Sequence, residues 1–362
     1  MEQATRQRGL DLLRILCMGM VVVLHLLGRG GVLAAAEPLS ARYQAAWLLE
    51  SAAYCAVNCY AILSGYLLCR SRCGLTGLVK LWLQVLFWSA GVTLLFALFW
   101  EPVSVMRFLK SCLPVLTGQY WYFTAYFGVY CLAPYFNRLI AHLEQKEFRR
   151  LLVLLFLLLS LLPTLVGQDP FQTNAGYSLL WLSALYFGGA YLRVYGLSKP
   201  GRPLFWLLGY LACVLTAFTG KWAVESATLA RLGTLSGGDR FVSYPSPLIL
   251  GAAVCLFLAC KDLRLEGRLV KGLLAFFAPV SFGVYLIHTQ PFVFHRWLNG
   301  AVAPVLSLGA VPMMGALLAL AAGVFLVCSL LEWGRVGLFR LLRLDRLAQW
   351  VGEAAERLLE RI

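Results

Sequence analysis

The chain has 362 residues, of which 60% are hydrophobic and only 13% charged, with a mean hydropathy of +0.76 and a net charge of +14. A soluble domain averages roughly 45–50% apolar and 25% charged residues, so this composition excludes a soluble globular protein and reads as a polytopic membrane protein. In a soluble chain the positive charge would suggest nucleic acid; here it is expected to follow topology, because cytoplasmic loops collect Lys and Arg, and no nucleic-acid partner is expected.

A bilayer-crossing helix needs about 20 mainly apolar residues. Ten such segments follow one another: 10–28, 46–68, 78–99, 120–138, 151–167, 178–195, 204–222, 246–260, 273–297 and 313–334. With the N-terminus placed in the cytoplasm, 23 of the 31 Lys and Arg residues fall on inner segments and 8 on outer ones. That bias predicts an all-α fold of about ten transmembrane helices with both termini cytoplasmic. Residues 1–340 form the transmembrane domain in this reading. Residues 341–362 form a basic amphipathic tail lying along the inner surface.

The first segment, "RGLDLLRILCMGMVVVLHLLG" (8–28), is apolar yet carries Asp11, Arg14 and His25. At 100° per residue, His25 stands about 20° past three full turns from Arg14, and Asp11 lies on the same stripe. The rise from Arg14 to His25 is about 16 Å. Ionisable groups are costly inside a bilayer, so one polar stripe along a crossing helix marks a buried path or cavity. Taken alone, Arg14 also reads as a snorkelling residue with Asp11 as its i,i+3 ion partner.

The second segment, "AWLLESAAYCAVNCYAILSGYLLCRSR" (46–72), places Glu50 about one turn inside its outer end. His25 is at a similar depth on the first, so a carboxylate orienting an imidazole is expected. Asn58 is mid-span. Arg70 and Arg72 emerge on the same side as Arg14, and three arginines at one inner mouth suit a phosphate-bearing ligand.

The outer segments 100–119, 168–177 and 223–245 are rich in Gly, Pro and aromatic residues and are expected to be loops that roof a site or merely link spans. "YWYFTAYFGVYCLAPYFNRLI" (120–140) reads mostly as interfacial and packing aromatics. "VSFGVYLIHTQPFVFHRW" (280–297) adds His288 in the outer half of the ninth span. Most of the 11 cysteines sit within apolar runs, so neither a metal site nor a disulfide framework is expected. Paired broken helices, frequent in transporters, are not evident.

Five pieces in this order resemble the membrane acyltransferase 3 family, bacterial multi-helix O-acyltransferases: "LDLLR" with His25 eleven residues after Arg14, "NCYAILSGYLLCRSR", "YWYFTAYFGVYCLAP", "LYFGGAYLR" (185–193) and "VSFGVYLIH". The resemblance implies a bacterial inner-membrane enzyme that takes an acyl group, usually acetyl, from acyl-CoA and places it on a hydroxyl of an envelope carbohydrate or lipid-linked sugar. Arg14 and His25 match the family's first-helix motif, Arg70 and Arg72 its basic pair, and His288 its later histidine. Some members carry an extra esterase-like domain; ending at 362, this chain is expected to finish the transfer itself or through a partner. His25 is expected to act as general base or acyl relay, Arg14, Arg70 and Arg72 to hold acetyl-CoA, and Asp11 and Asn58 to give support. Glu50 is a reading of the residues alone. The alternative is a sugar or lipid-linked-substrate transporter or flippase without acyl transfer.

Overall fold

The computed structural model describes residues 7–71, 73–197 and 201–359. Helix makes up 79% of it, with no strand among the described residues. In chain order the helices are α1 (Arg8–Leu27), α2 (Val32–Ala35), α3 (Ala41–Ala53), α4 (Ala56–Leu68), α5 (Leu75–Phe99), α6 (Val105–Cys112), α7 (Trp121–His142) and α8 (Gln145–Phe156). There follow α9 (Leu162–Val166), α10 (Leu179–Val194), α11 (Pro203–Leu232), α12 (Pro247–Lys261), α13 (Arg268–Phe277), α14 (Ser281–His288), α15 (Ala310–Leu341) and α16 (Leu344–Leu359).

Seven helical stretches among the described residues are long and apolar enough to cross a membrane: Arg8–Ala35, Ala41–Leu68, Leu75–Phe99, Gln145–Val166, Pro203–Leu232, Arg268–His288 and Ala310–Leu341. The chain therefore reads as a multi-pass membrane protein. Ten crossings would need three more helices to span: α7, whose 22 residues mix aromatic with polar groups, and the shorter apolar helices α10 and α12.

α1 sits in the middle, packed on α3, α4, α12, α14 and α15. Of its most apolar window, 61% is buried inside the fold, against 17% for α11 and 22% for α15. The outer helices instead expose Leu165, Leu208, Leu215, Val327 and Leu330, an apolar surface of the kind that marks membrane contact. Helices α4 and α10 pack backbone to backbone. A Cβ on Gly65 would stand 1.9 Å from the Tyr186 carbonyl oxygen, and one on Gly189 1.9 Å from that of Ile62. Only glycine permits this backbone contact, the device that packs helices where no hydrophobic force draws them together. Asn58, fully buried on α4, donates to the Tyr244 carbonyl (2.8 Å) and accepts from Trp181 Nε1 (3.0 Å). It pins an outer loop and α10 to α4.

Three expected elements differ. The second segment is interrupted at Tyr54–Cys55 between α3 and α4. The ninth is broken into α13, a 3₁₀ turn at Ala278–Val280, α14 and a π-turn at Val293–Trp297. Pro279 and Pro291 stand at its breaks, where each removes a backbone donor and crowds the preceding turn. Gln290 Oε1 accepts from the Phe292 N–H (2.7 Å), satisfying a group the break frees. Interrupted helices are thus present where none was expected. Third, α11 runs to Leu232, so residues 223–232 are helix rather than loop. Lys221 and Glu225 form a buried i,i+4 ion pair that Tyr43 Oη (2.9 Å to Glu225) and Asp239 (2.9 Å to Lys221) complete. That closed network keeps a polar stretch helical.

The tail forms α16, which packs on the start of α5 through buried Ala348 and Gly352. Glu356 Oε1 accepts from the Leu75 N–H (2.8 Å), capping α5, and Asp345 pairs with Lys80 (2.9 Å).

Candidate active site

Two cavities lie along the polar face of α1. The one at the Arg14 end, named inner after the expected orientation as the other is named outer, is about 630 Å³ and is lined by Asp11 and Arg14 of α1, Ser64 of α4, Gln84 of α5 and Tyr126 of α7. The outer one, about 220 Å³, is lined by His25, Arg29, Glu50, Tyr54, Trp121 and Tyr244, among others. Tyr60, Tyr122 and Phe282 line both, so these aromatic side chains stand at the boundary between the two cavities.

The histidines sit close together. His288, 4% exposed at the end of α14, places Nδ1 2.5 Å from the Val284 carbonyl and Nε2 2.8 Å from His25 Nδ1. A carbonyl only accepts, so His288 Nδ1 carries the hydrogen. In a neutral imidazole Nε2 is then an acceptor. His25 Nδ1 must donate to it, which leaves His25 Nε2 with a free lone pair. One backbone carbonyl thereby sets the tautomer of both rings. His25 is half-buried and lines the outer cavity, whereas His288 stands behind it. Phe294 closes His25's other flank edge-on at 5.2 Å.

α14 is held in place from below. A Cβ on Gly283 would stand 2.3 Å from the carboxyl carbon of Glu332, so the carboxyl of α15 rests directly on the α14 backbone. Glu332, 1% exposed, accepts from Gln84 (2.9 Å), Trp88 Nε1 (2.6 Å) and Arg335 (2.6 Å). Helices α5, α14 and α15 are clamped at one point, which fixes the register that brings His288 to His25.

Glu50 of α3 is 7% exposed, lines the same cavity as His25, and leaves Oε2 without a hydrogen-bond partner. Arg14 donates to Asp11 (2.8 Å), and the Arg14 carbonyl accepts from Tyr60 Oη (2.6 Å). Asp11 thus holds the Arg14 guanidinium, while Tyr60 holds the Arg14 backbone. Arg70 is exposed and does not line the inner cavity, although Leu67 and Leu68 just before it do. Arg72 lies outside the described residues. Asn58 lines neither cavity.

Outer segments 168–177 and 233–245 supply the roof. Tyr177 packs at 4.4 Å on Trp121 and at 5.0 Å on Tyr244, which stacks at 4.8 Å on Tyr54. Gly176, at φ +91°, lies so close to Tyr244 that a Cβ would stand 2.5 Å from it. Asp169 shapes the loop by accepting from Thr173 N–H and Oγ1 (2.9 Å each) and Ala175 N–H (3.3 Å). Partial burial pushes its carboxyl up, but these hydrogen bonds outweigh burial and hold it below the ordinary aspartate value.

Sequence reasoning missed Arg29, Tyr54, Tyr60 and Tyr122 as cavity residues. Arg29 alone carried a signal: it is four residues, about one turn, beyond His25, and its charge is accounted for equally well by a loop.

A family model described as an acyltransferase domain matches residues 7–333. The match covers most of the chain, including both histidines, Glu50 and both cavities. No curated protein and no solved structure matches. The chain belongs to the acyltransferase 3 family.

Proposed function

We propose that this membrane acyltransferase moves an acyl group, by family habit acetyl, from acyl-CoA in the inner cavity to a hydroxyl of an envelope carbohydrate or related acceptor in the outer one. What carries the reading is the boundary at Tyr60, Tyr122 and Phe282, with Arg14 on one side and His25 on the other. Acyl-CoA has an anionic phosphorylated head and a long arm ending in a thioester. In this reading the head docks near Arg14 and, on the family's pattern, Arg70 and Arg72. The arm passes those aromatic side chains and presents its carbonyl to His25.

His25 Nε2 then accepts the proton of the acceptor hydroxyl as its oxygen attacks the thioester carbonyl. The new C–O bond forms, the C–S bond breaks, and the imidazolium returns the proton to the departing thiolate. His288 keeps His25 in the productive tautomer and accepts from its Nδ1–H throughout, the orienting task a carboxylate performs in a serine-hydrolase triad. Glu50, with a carboxylate oxygen unengaged, holds a hydroxyl of the acceptor. Direct transfer in one cavity needs no acyl-histidine.

The test is release of free CoA from acetyl-CoA by protein purified in detergent, with cell-envelope extract as acceptor. Wild type is expected to release CoA. His25→Ala is expected to lose roughly 10²–10⁴-fold in rate, the usual contribution of a general base. Full activity in that variant overturns the assignment.

A further inference from the structure

At the outer end of α1 the turn Gly28–Gly31 is tied to residues 298–302: the Arg29 carbonyl accepts from Gly300 N–H and the Gly30 carbonyl from Val302 N–H (3.0 Å each). Arg29 is therefore held by its backbone. Its side chain is half-buried at the rim of the cavity that holds His25. The guanidinium donates through Nε to the Phe294 carbonyl (3.3 Å) and through Nη2 to His295 Nδ1 (2.5 Å), and lies 5.6 Å from the Phe294 ring centre. None of these partners is an anion. Arg107 of α6 stacks at 4.1 Å over Phe292 nearby. No carboxylate pairs with Arg29 or Arg107 among the described residues, while Arg296 close by is paired with Glu101.

A half-buried cation with no counter-ion, at the mouth of a narrow apolar cavity, focuses a positive field into that cavity. Glu50 shares the cavity but forms no ion pair with Arg29, and its Oε2 has no hydrogen-bond partner. The two groups therefore address different parts of a ligand.

We propose that Arg29, reinforced by Arg107, binds an anionic group on the acceptor, so that the hydroxyl acylated at His25 sits about one helical turn from a phosphate or carboxylate. The inference rests on the acyl-transfer reading. It narrows the acceptor class from hydroxyl compounds in general to acidic ones, such as a sugar acid or a sugar phosphate.

The test uses three probes of one ring type: methyl glucoside, methyl glucuronide and glucose 1-phosphate. Binding is measured by equilibrium dialysis without acyl donor, then CoA release is measured with acetyl-CoA. At low salt at least one anionic probe is expected to bind about tenfold more tightly than the neutral one, one charge-assisted contact's worth. The preference is expected to shrink in high salt. Arg29→Gln is expected to bring the probes within about twofold of one another, Arg29→Lys to retain part of the preference, and the exposed Arg107→Gln to weaken it. Preference for the phosphate alone or the carboxylate alone identifies which group is read. Equal binding of all three probes by wild type overturns the inference, as does an equal loss for all three in Arg29→Gln. An anionic preference without CoA release from any probe or envelope extract leaves the anion subsite standing and removes the acyl-transfer reading instead.

Discussion

Replacing His288 with leucine tests whether the second histidine works through the first. Leucine fills a similar volume but cannot accept the His25 Nδ1–H, now bonded at 2.8 Å. Two responses are open to His25. It can keep its tautomer and bury an unsatisfied donor, which costs about 1–3 kcal/mol. It can instead move the hydrogen to Nε2 and lose the lone pair that faces the cavity. Either way the productive state becomes less populated by that free energy, which corresponds to roughly 5- to 150-fold in rate. Glutamine offers an acceptor oxygen at comparable reach, so His288→Gln is expected to stay within about tenfold of wild type. The assay is CoA release, with thermal melting and size-exclusion elution to check that each variant folds. If His288→Leu loses less than about threefold, or if His288→Gln falls as far as His288→Leu, the tautomer chain is wrong. If His288→Leu loses well over about 150-fold, more than an unsatisfied donor costs, His288 does more than set the tautomer of His25.

Three further outcomes follow from the geometry. Arg14→Ala is expected to raise the KM for acetyl-CoA by about tenfold with a smaller effect on kcat, because it removes a cation from the inner cavity; a fall in kcat alone would count against the donor placement. Gly65→Ala drives a methyl into the Tyr186 carbonyl oxygen at 1.9 Å, so α4 and α10 must separate, with a lowered melting temperature of several degrees; an unchanged melt would contradict the helix crossing. Asp169, held below its ordinary value, stabilises the 168–177 roof at neutral pH, and this contribution fades as pH falls below about 4, through its folded value. The protection factors of the Thr173 and Ala175 amides, corrected for the intrinsic pH dependence of exchange, should fall there, and in Asp169→Asn they should be low already at about pH 7.

The all-helical, multi-pass character of the chain, the polar groups Asp11, Arg14 and His25 on its first helix, and its membership in an acyltransferase family were legible in the sequence; the count of ten crossings was not settled by it, since seven helical stretches among the described residues are long and apolar enough to span. Helix periodicity is a local property, and charge inside an apolar run stands out against a large solvation cost. Glu50 was readable as a polar group of the span for the same reason, but not its place: it was expected to orient the His25 imidazole, and His25 Nδ1 bonds His288 instead, with Glu50 Oε2 left without a partner. The helix breaks went unread: Pro279 and Pro291 carried a signal for the one in the ninth segment that the span reading passed over, while nothing in "AAYCAV" signals the turn at Tyr54–Cys55. What no sequence pattern carried is adjacency. His25 and His288 are 263 residues apart, and their contact depends on Gly283 resting against Glu332 and on α14 packing beside α1. The same holds for Tyr60 and Tyr122, which look like ordinary interfacial aromatics until α4 and α7 bring them to the boundary between two cavities. Residue type and spacing determine what chemistry a helix can offer; which helices face one another is decided by close packing over the whole fold, and the pairing of the two histidines exists only there.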